Sequence, residues 1–241
     1  MIGPLKLRWI SVIFFISSSF FLTNCFIEDD IDLNQACINN CATIQGRFTT
    51  ENGSVSVGNL PLELQWENIG MLNGTTRKIA TTTTDQNGFY SFVFEAKDHE
   101  LTKGEFKVIF TINQQEFIKP IYQDFSFHNI TTKDTTIIYN YHLAKPARIR
   151  LKVINPENFA SAEVANLYTS FKLNNLDYDI QQVSSDVDLK MLESNEKLIL
   201  VAGNQITYIR IFTKVNGVMT VKNDSIFTPI NEILDYTVSI P

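Results

Sequence analysis

Apolar side chains recur at every second position, in stretch after stretch, and that spacing constrains the fold more than any other feature of the chain. Leu62, Leu64 and Trp66 alternate with Glu63, Gln65 and Glu67, and Tyr90, Phe92 and Phe94 alternate with Ser91, Val93 and Glu95. Phe106, Val108, Phe110 and Ile112 share another face, as do Ile137, Tyr139, Tyr141 and Leu143. Successive side chains of a strand point to opposite faces, so a period of two marks a half-buried strand with one face for a core. Turn residues separate the stretches at Asn52-Gly53, Asn73-Gly74 and Asp85-Gln86-Asn87-Gly88. Helical spacing is nearly absent. Many short strands with frequent turns predict an all-β chain built as a sandwich or barrel.

The alternation breaks near Leu143-Ala144-Lys145-Pro146, where proline interrupts a sheet ladder and suits a linker. It restarts with Ile149, Leu151 and Val153 on one side and Arg148, Arg150 and Lys152 on the other. Tyr208 to Phe212 and Val218 to Val221 flank Asn216-Gly217, a strong hairpin signal because both turn residues tolerate positive φ. Leu234, Tyr236, Val238 and Ile240 make a final strand. The pattern predicts two tandem β-sandwich domains, over 43–144 and 145–241. Residues 155–196, rich in Asn, Asp and Ser, read as long loops with room for a short helix.

The first predicted domain carries a motif. Ile44-Gln45-Gly46-Arg47-Phe48 opens it, Leu60 to Leu64 follows, and Thr83, Asp85, Gly88, Tyr90 and Phe92 spell T-x-D-x-x-G-x-Y-x-F. Asp85 can cap the turn, Gly88 can take positive φ, and Tyr90 and Phe92 can plug the core. The pattern resembles the carboxypeptidase regulatory-like domain, a seven-stranded transthyretin-like sandwich. The resemblance implies a non-catalytic accessory module that contributes stability, spacing or binding.

Residues 1–24 carry Lys6 and Arg8, no acid, and an apolar run broken by Ser17-Ser18-Ser19. A basic start and a short apolar stretch read as a secretory signal, since a membrane-spanning helix needs about 20 apolar residues. Its exit, Leu22-Thr23-Asn24-Cys25, resembles the bacterial lipobox, with Asn24 where Gly or Ala is usual. The resemblance implies a Cys25 that carries a diacylglyceryl group. Two or more acyl chains anchor stably where one does not, so the mature chain would be held to a membrane without crossing it. Glu28, Asp29 and Asp30 follow closely, and no cation occurs before Arg47. One reading is a solvated tether over 25–42. The other is resemblance to the acidic export signal of Bacteroidota surface lipoproteins. Cys37 and Cys41 remain, and outside the cytoplasm two cysteines this close usually pair. The rival is a metal pair, but two thiols without nearby His or further Cys make a poor zinc site.

Charge and motifs narrow the chemistry. Removing residues 1–24 takes away two cations and no acid, so the net charge of −6 becomes −8. A chain this acidic is repelled by phosphate backbones, which argues against nucleic acid as a partner. His99-Glu100 opens like a zincin motif, but Lys103 stands where the second histidine belongs. His128 and His142 read as a loop and a strand-edge residue. Asp85 to Gly88 lacks the closing bidentate acid of a calcium loop, and Phe89-Tyr90 follows instead. No metal and no cofactor is expected. Arg148, Arg150 and Lys152 read as a solvated face, and the aromatics, Trp66 included, as mostly core. Asp134-Thr135-Thr136 and Asp224-Ser225-Ile226 match a short O-glycosylation motif of Bacteroidota secreted proteins.

The expectation is therefore a lipid-anchored, non-catalytic outer-membrane protein, facing outward, that binds or scaffolds a glycan or protein partner. The alternative is a periplasm-facing assembly partner of an outer-membrane complex. An enzyme with its site in the 155–196 loops ranks third.

Overall fold

The computed structural model describes residues 28–31, 33–71, 74–128, 130–174, 181–192 and 194–239. The strands of the first half are β1 (Glu28–Ile31), β2 (Ala42–Thr50), β3 (Val55–Ser56), β4 (Pro61–Ile69), β5 (Gly74–Thr83), β6 (Phe89–Phe94), β7 (Glu105–Phe110), β8 (Asp124–Phe127), β9 (Thr136–Ile138) and β10 (Tyr141–His142). Those of the second half are β11 (Pro146–Ile154), β12 (Val164–Lys172), β13 (Gln181–Asp188), β14 (Glu196–Ala202), β15 (Gln205–Val215), β16 (Val218–Thr228) and β17 (Ile233–Ser239). One short helix, α1 (Pro156–Ser161), and two 3-10 turns, Asp98–Leu101 and Leu189–Met191, complete the described elements. The chain is all-β.

In the first half, one sheet runs β1-β5-β4-β7-β8. The second layer is organised around β2, which divides its pairing along its length. Its first part pairs with β6 antiparallel and β9 parallel, and its end pairs with β3 and β10. Between β9 and β10 the Tyr139 carbonyl lies against Gly46, where a Cβ would sit 1.8 Å from that oxygen. Only glycine fits there.

Between these layers lies an aromatic core. Phe48 stacks on Tyr141 at 5.3 Å, Phe110 meets Tyr141 edge-on at 4.7 Å, and Phe125 stacks on Tyr139 at 4.6 Å. Such ring pairs add about 0.5–1.5 kcal/mol each beyond the area they bury. Trp66 is buried with Leu62 and Leu64, and its indole N–H donates to the Lys103 carbonyl. One charged pair is sealed in beside them: Arg77 meets Glu100 through two bonds, 2.6 and 2.7 Å, and both side chains are 5% exposed or less. Glu100 Oε2 also accepts from the Lys97 amide, and Arg77 donates to the Glu95 carbonyl. A fork-to-carboxylate geometry with these extra bonds is what lets a buried ion pair persist.

The second half stacks a three-stranded sheet, β14-β11-β17, on a four-stranded one, β13-β12-β15-β16. Its core is aliphatic apart from Phe159 of α1, which is fully buried. Burying a side chain of that size is worth about 1.5–3 kcal/mol. Arg150 and Lys152 stand on the outside of β11 and reach Asp235 of β17 at 3.4 and 2.5 Å.

Two expectations need correction. Residues 155–196 are not long loops, because α1, β12 and β13 occupy most of them. In β12 the buried positions are Ala165, Leu167, Thr169 and Phe171, so small and hydroxyl residues on the inner face hid the alternation. The predicted tether is not wholly free. β1 pairs in parallel with β5, from Glu28 opposite Thr75 to Ile31 opposite Lys78. Asn34 continues that pairing, donating to the Ile79 carbonyl and accepting from the Thr81 amide. The exposed edge of β5 supplies the unpaired backbone groups that capture the segment. His142 is the last residue of β10, and it is 1% exposed where the two halves meet.

That junction mixes apolar and polar contacts. Ile118, Ala144, Phe171, Leu173 and Ala202 form a small buried cluster. His142 and Asn174 exchange backbone hydrogen bonds at 2.7 and 3.0 Å, and the Tyr139 hydroxyl donates to Asn174 Oδ1. Glu51 accepts from Lys145 Nζ and from Asn204 Nδ2, each at 2.8 Å. Those two bonds, Lys145 first, hold the Glu51 carboxyl below its ordinary range. Burial pushes the His142 imidazole down to about 4, against a partial offset from the Gln205 side-chain amide 3.3 Å away. His142 is therefore neutral at physiological pH.

Candidate functional site

The outer face of the β12-β15-β16 sheet is a region where the structure gathers aromatic and polar side chains, Tyr208 exposed and Tyr168 and Phe212 half-buried. The inner residues of β12 and β15, among them Leu167, Ile209 and Ile211, cover the second core. Their neighbours in sequence must then point outward. Register sets those outward residues side by side: Tyr168 opposite Arg210 and Arg210 opposite Asn223, with Phe212 opposite Asn166 and Val221. Asn166, Tyr168, Arg210, Phe212 and Asn223 line an open groove of about 780 Å³ with Ser170, Tyr208 and Met219.

The groove is ordered by contacts within the face. Tyr168 and Phe212 meet edge-on at 5.4 Å, and the Arg210 guanidinium lies 5.8 Å from the Phe212 ring centre. Arg210 Nε donates to Asn223 Oδ1 at 3.0 Å, and Asn166 Nδ2 donates to the Tyr168 hydroxyl at 3.2 Å. Asp224, at the rim, accepts from the Tyr236 hydroxyl and the Ser225 amide, and these hold its carboxyl below its usual range. Flat rings beside an arginine and side-chain amides suit the apolar faces and hydroxyls of a sugar, or an extended peptide.

The residues singled out from sequence lie elsewhere. Cys25 falls outside the described residues, and Glu28, Asp29 and Asp30 lie in β1. Cys37 and Cys41 are joined by a disulfide, with Cα atoms 5.8 Å apart. Asp85 Oδ1 accepts from the amides of Asn87 and Phe89, both at 2.8 Å. Gly88 has φ of +76°, where a Cβ would meet the Phe48 carbonyl, and Tyr90 and Phe92 are buried. The turn motif therefore builds a hairpin and its core. His99 packs edge-on against Trp66, and His128 lies 3.2 Å from Glu105. Among the described residues, no three His, Cys, Asp or Glu side chains gather as metal ligands.

Sequence reasoning missed Tyr168, Tyr208 and Phe212 as surface residues by assigning aromatics to the core. The signal was present. Arg210 falls between Tyr208 and Phe212 at the same parity, so the face carrying those rings also carries a charge.

No protein-family model matches the chain, and no curated protein matches it either. Solved structures with some likeness include a 9R-lipoxygenase from Cyanothece (16% identity, 44% of this chain, 17% of that chain, TM-score 0.28). Others are BcpA, the major pilin subunit of Bacillus cereus (12% identity, 78% and 69%, TM-score 0.29), and the major pilin SpaD of Corynebacterium diphtheriae (8% identity, 80% and 66%, TM-score 0.32). The chain spans about a sixth of the lipoxygenase. At these TM-scores no likeness bears on function.

Proposed function

We propose that the chain is a non-catalytic binding module held to the outer membrane by a diacylglyceryl group on Cys25. In this reading a transthyretin-like first domain acts as spacer and the second domain presents the ligand-binding face. The observation that carries it is the groove on β12-β15-β16, where Tyr168, Arg210 and Phe212 are arrayed on the open side of a sheet. The ligand is a glycan or an extended protein segment, and the anchor follows from the Leu22-Thr23-Asn24-Cys25 sequence. The test is binding of the intact chain to a panel of extracellular glycans and matrix proteins, repeated with Phe212→Ala. A saturable ligand lost in that variant supports the reading. Unchanged binding, or turnover of the ligand, overturns it.

A second reading, a periplasm-facing assembly partner, is favoured by one observation. Glu28 to Ile31 pair with β5 and do not hang free as an export signal would. Protease added to intact cells, beside a Cys25→Ala control, separates the two. Loss of the chain supports outward display, and protection until the outer membrane is broken supports the inward reading.

A further inference from the structure

β16 ends its sheet. Its eleven residues pair with β15 alone, and among the described residues no backbone hydrogen bond reaches its other edge between Val218 and Phe227. From Val218 to Ser225 its residues are exposed on both faces. An open edge of this length is a template for strand addition unless something blocks it.

The backbone directions follow from the hairpin. Asn216 and Gly217 have φ of 51° and 78°, so the turn is of the two-residue type whose closing pair, here Val215 and Val218, exchanges both hydrogen bonds. Every second residue from Val218 therefore directs its amide and carbonyl toward β15. Met219, Val221, Asn223, Ser225 and Phe227 direct theirs outward.

We propose that this edge pairs antiparallel with the same edge of a second copy of the chain, about a two-fold axis through Asn223, giving one continuous eight-stranded sheet. The side chains select this register. Met219 falls opposite the partner's Phe227, Val221 opposite the partner's Ser225, and Lys222 opposite the partner's Asp224. The last pair occurs twice, once on each side of the axis. Both lie at sites that are not hydrogen-bonded across the new interface, where opposed side chains are closest, with Cα atoms about 4.5 Å apart. A slip by one step in either direction sets Lys222 against the partner's Lys222, or Asp224 against the partner's Asp224, and like charges there are destabilising. A lone lysine on the inner face of an edge strand would keep it single. Asp224, two residues along on the same face, supplies the matching charge. Ser225 N–H now rests on Asp224 Oδ1. In the pair it turns to the partner's Val221 carbonyl and frees that oxygen for the partner's Lys222, while Oδ2 keeps the Tyr236 hydroxyl. The two grooves then lie on one surface, whatever ligand they take.

The test is register-specific cross-linking of the full chain in cells. The two-fold places Asn223 opposite itself with Cα atoms about 5.5 Å apart, within disulfide range. Asn223→Cys should give a covalent dimer on a non-reducing gel, well above the parent chain, which controls for the native cysteines. Val221→Cys or Ser225→Cys alone should stay at the parent level, and co-expressing those two variants should restore the dimer. Adding Lys222→Glu to Asn223→Cys should cut the dimer about tenfold, and adding Asp224→Lys as well should bring it back. No dimer from Asn223→Cys, or an undiminished one with Lys222→Glu, overturns the proposal. Stronger self-linking of Lys222→Cys or Asp224→Cys overturns the register.

Discussion

In the first half the rings of Phe48, Tyr90, Phe110, Phe125 and Tyr141 pack on one another inside the sandwich. In the second half Tyr168, Tyr208 and Phe212 stand on the solvent side of a sheet whose inner face is aliphatic. Both halves are built from alternating strands, so the difference lies in which parity the rings occupy. Rings in a core give a stiff unit. Rings on an open face give a surface that can bind. The junction around His142, Glu51 and Asn204 joins the two halves.

Four measurements would break or sharpen that contrast. The largest effect belongs to the first half. Glu100→Gln neutralises the carboxylate that two bonds of the buried Arg77 reach, and breaking a buried pair in this way costs about 3–5 kcal/mol. Past residue 24, Trp66 is the only tryptophan, so its fluorescence reports the first core while far-UV circular dichroism reports both. In urea the fluorescence transition should move to lower concentration ahead of the dichroism. A coincident shift of both would mean the junction welds the halves into one folding unit.

The second tests the junction. His142 titrates at about 4 in the folded chain against 6.5 when free, so the unfolded chain binds its proton more readily within that window. Stability is at its full value above pH 6.5 and falls as pH drops toward 4, by on the order of 3 kcal/mol in all. The lowered Glu51 carboxyl adds a further loss below its ordinary range. Urea midpoints across pH 4–7 should slope in the parent chain and flatten in His142→Asn. An equal slope in both would assign the effect to other groups.

A smaller effect is local to one turn. Asp85→Ala removes the acceptor of two amides and should cost about 1 kcal/mol, seen in Trp66 fluorescence. Smallest of all, Tyr168→Ala and Phe212→Ala should change stability by about 0.5 kcal/mol or less, as surface substitutions do, while abolishing ligand capture. A loss of several kcal/mol from either would show that the face is part of a core, and the contrast between the halves would fail.

Strand content, the Asn216-Gly217 hairpin and the Asp85–Gly88 turn were legible in the residues alone, because alternation and positive φ are local properties of the chain. Ala165 and Thr169 show where that legibility ended: they are buried yet too small or too polar to announce it. Burial of His142, capture of Glu28 to Ile31 by β5, and placement of Phe212 on an outer face depend on partners far away in sequence. Alternation says that two faces of a strand differ. Only packing of one layer on another decides which face meets protein and which meets water, and β16 is exposed on both faces from Val218 to Ser225.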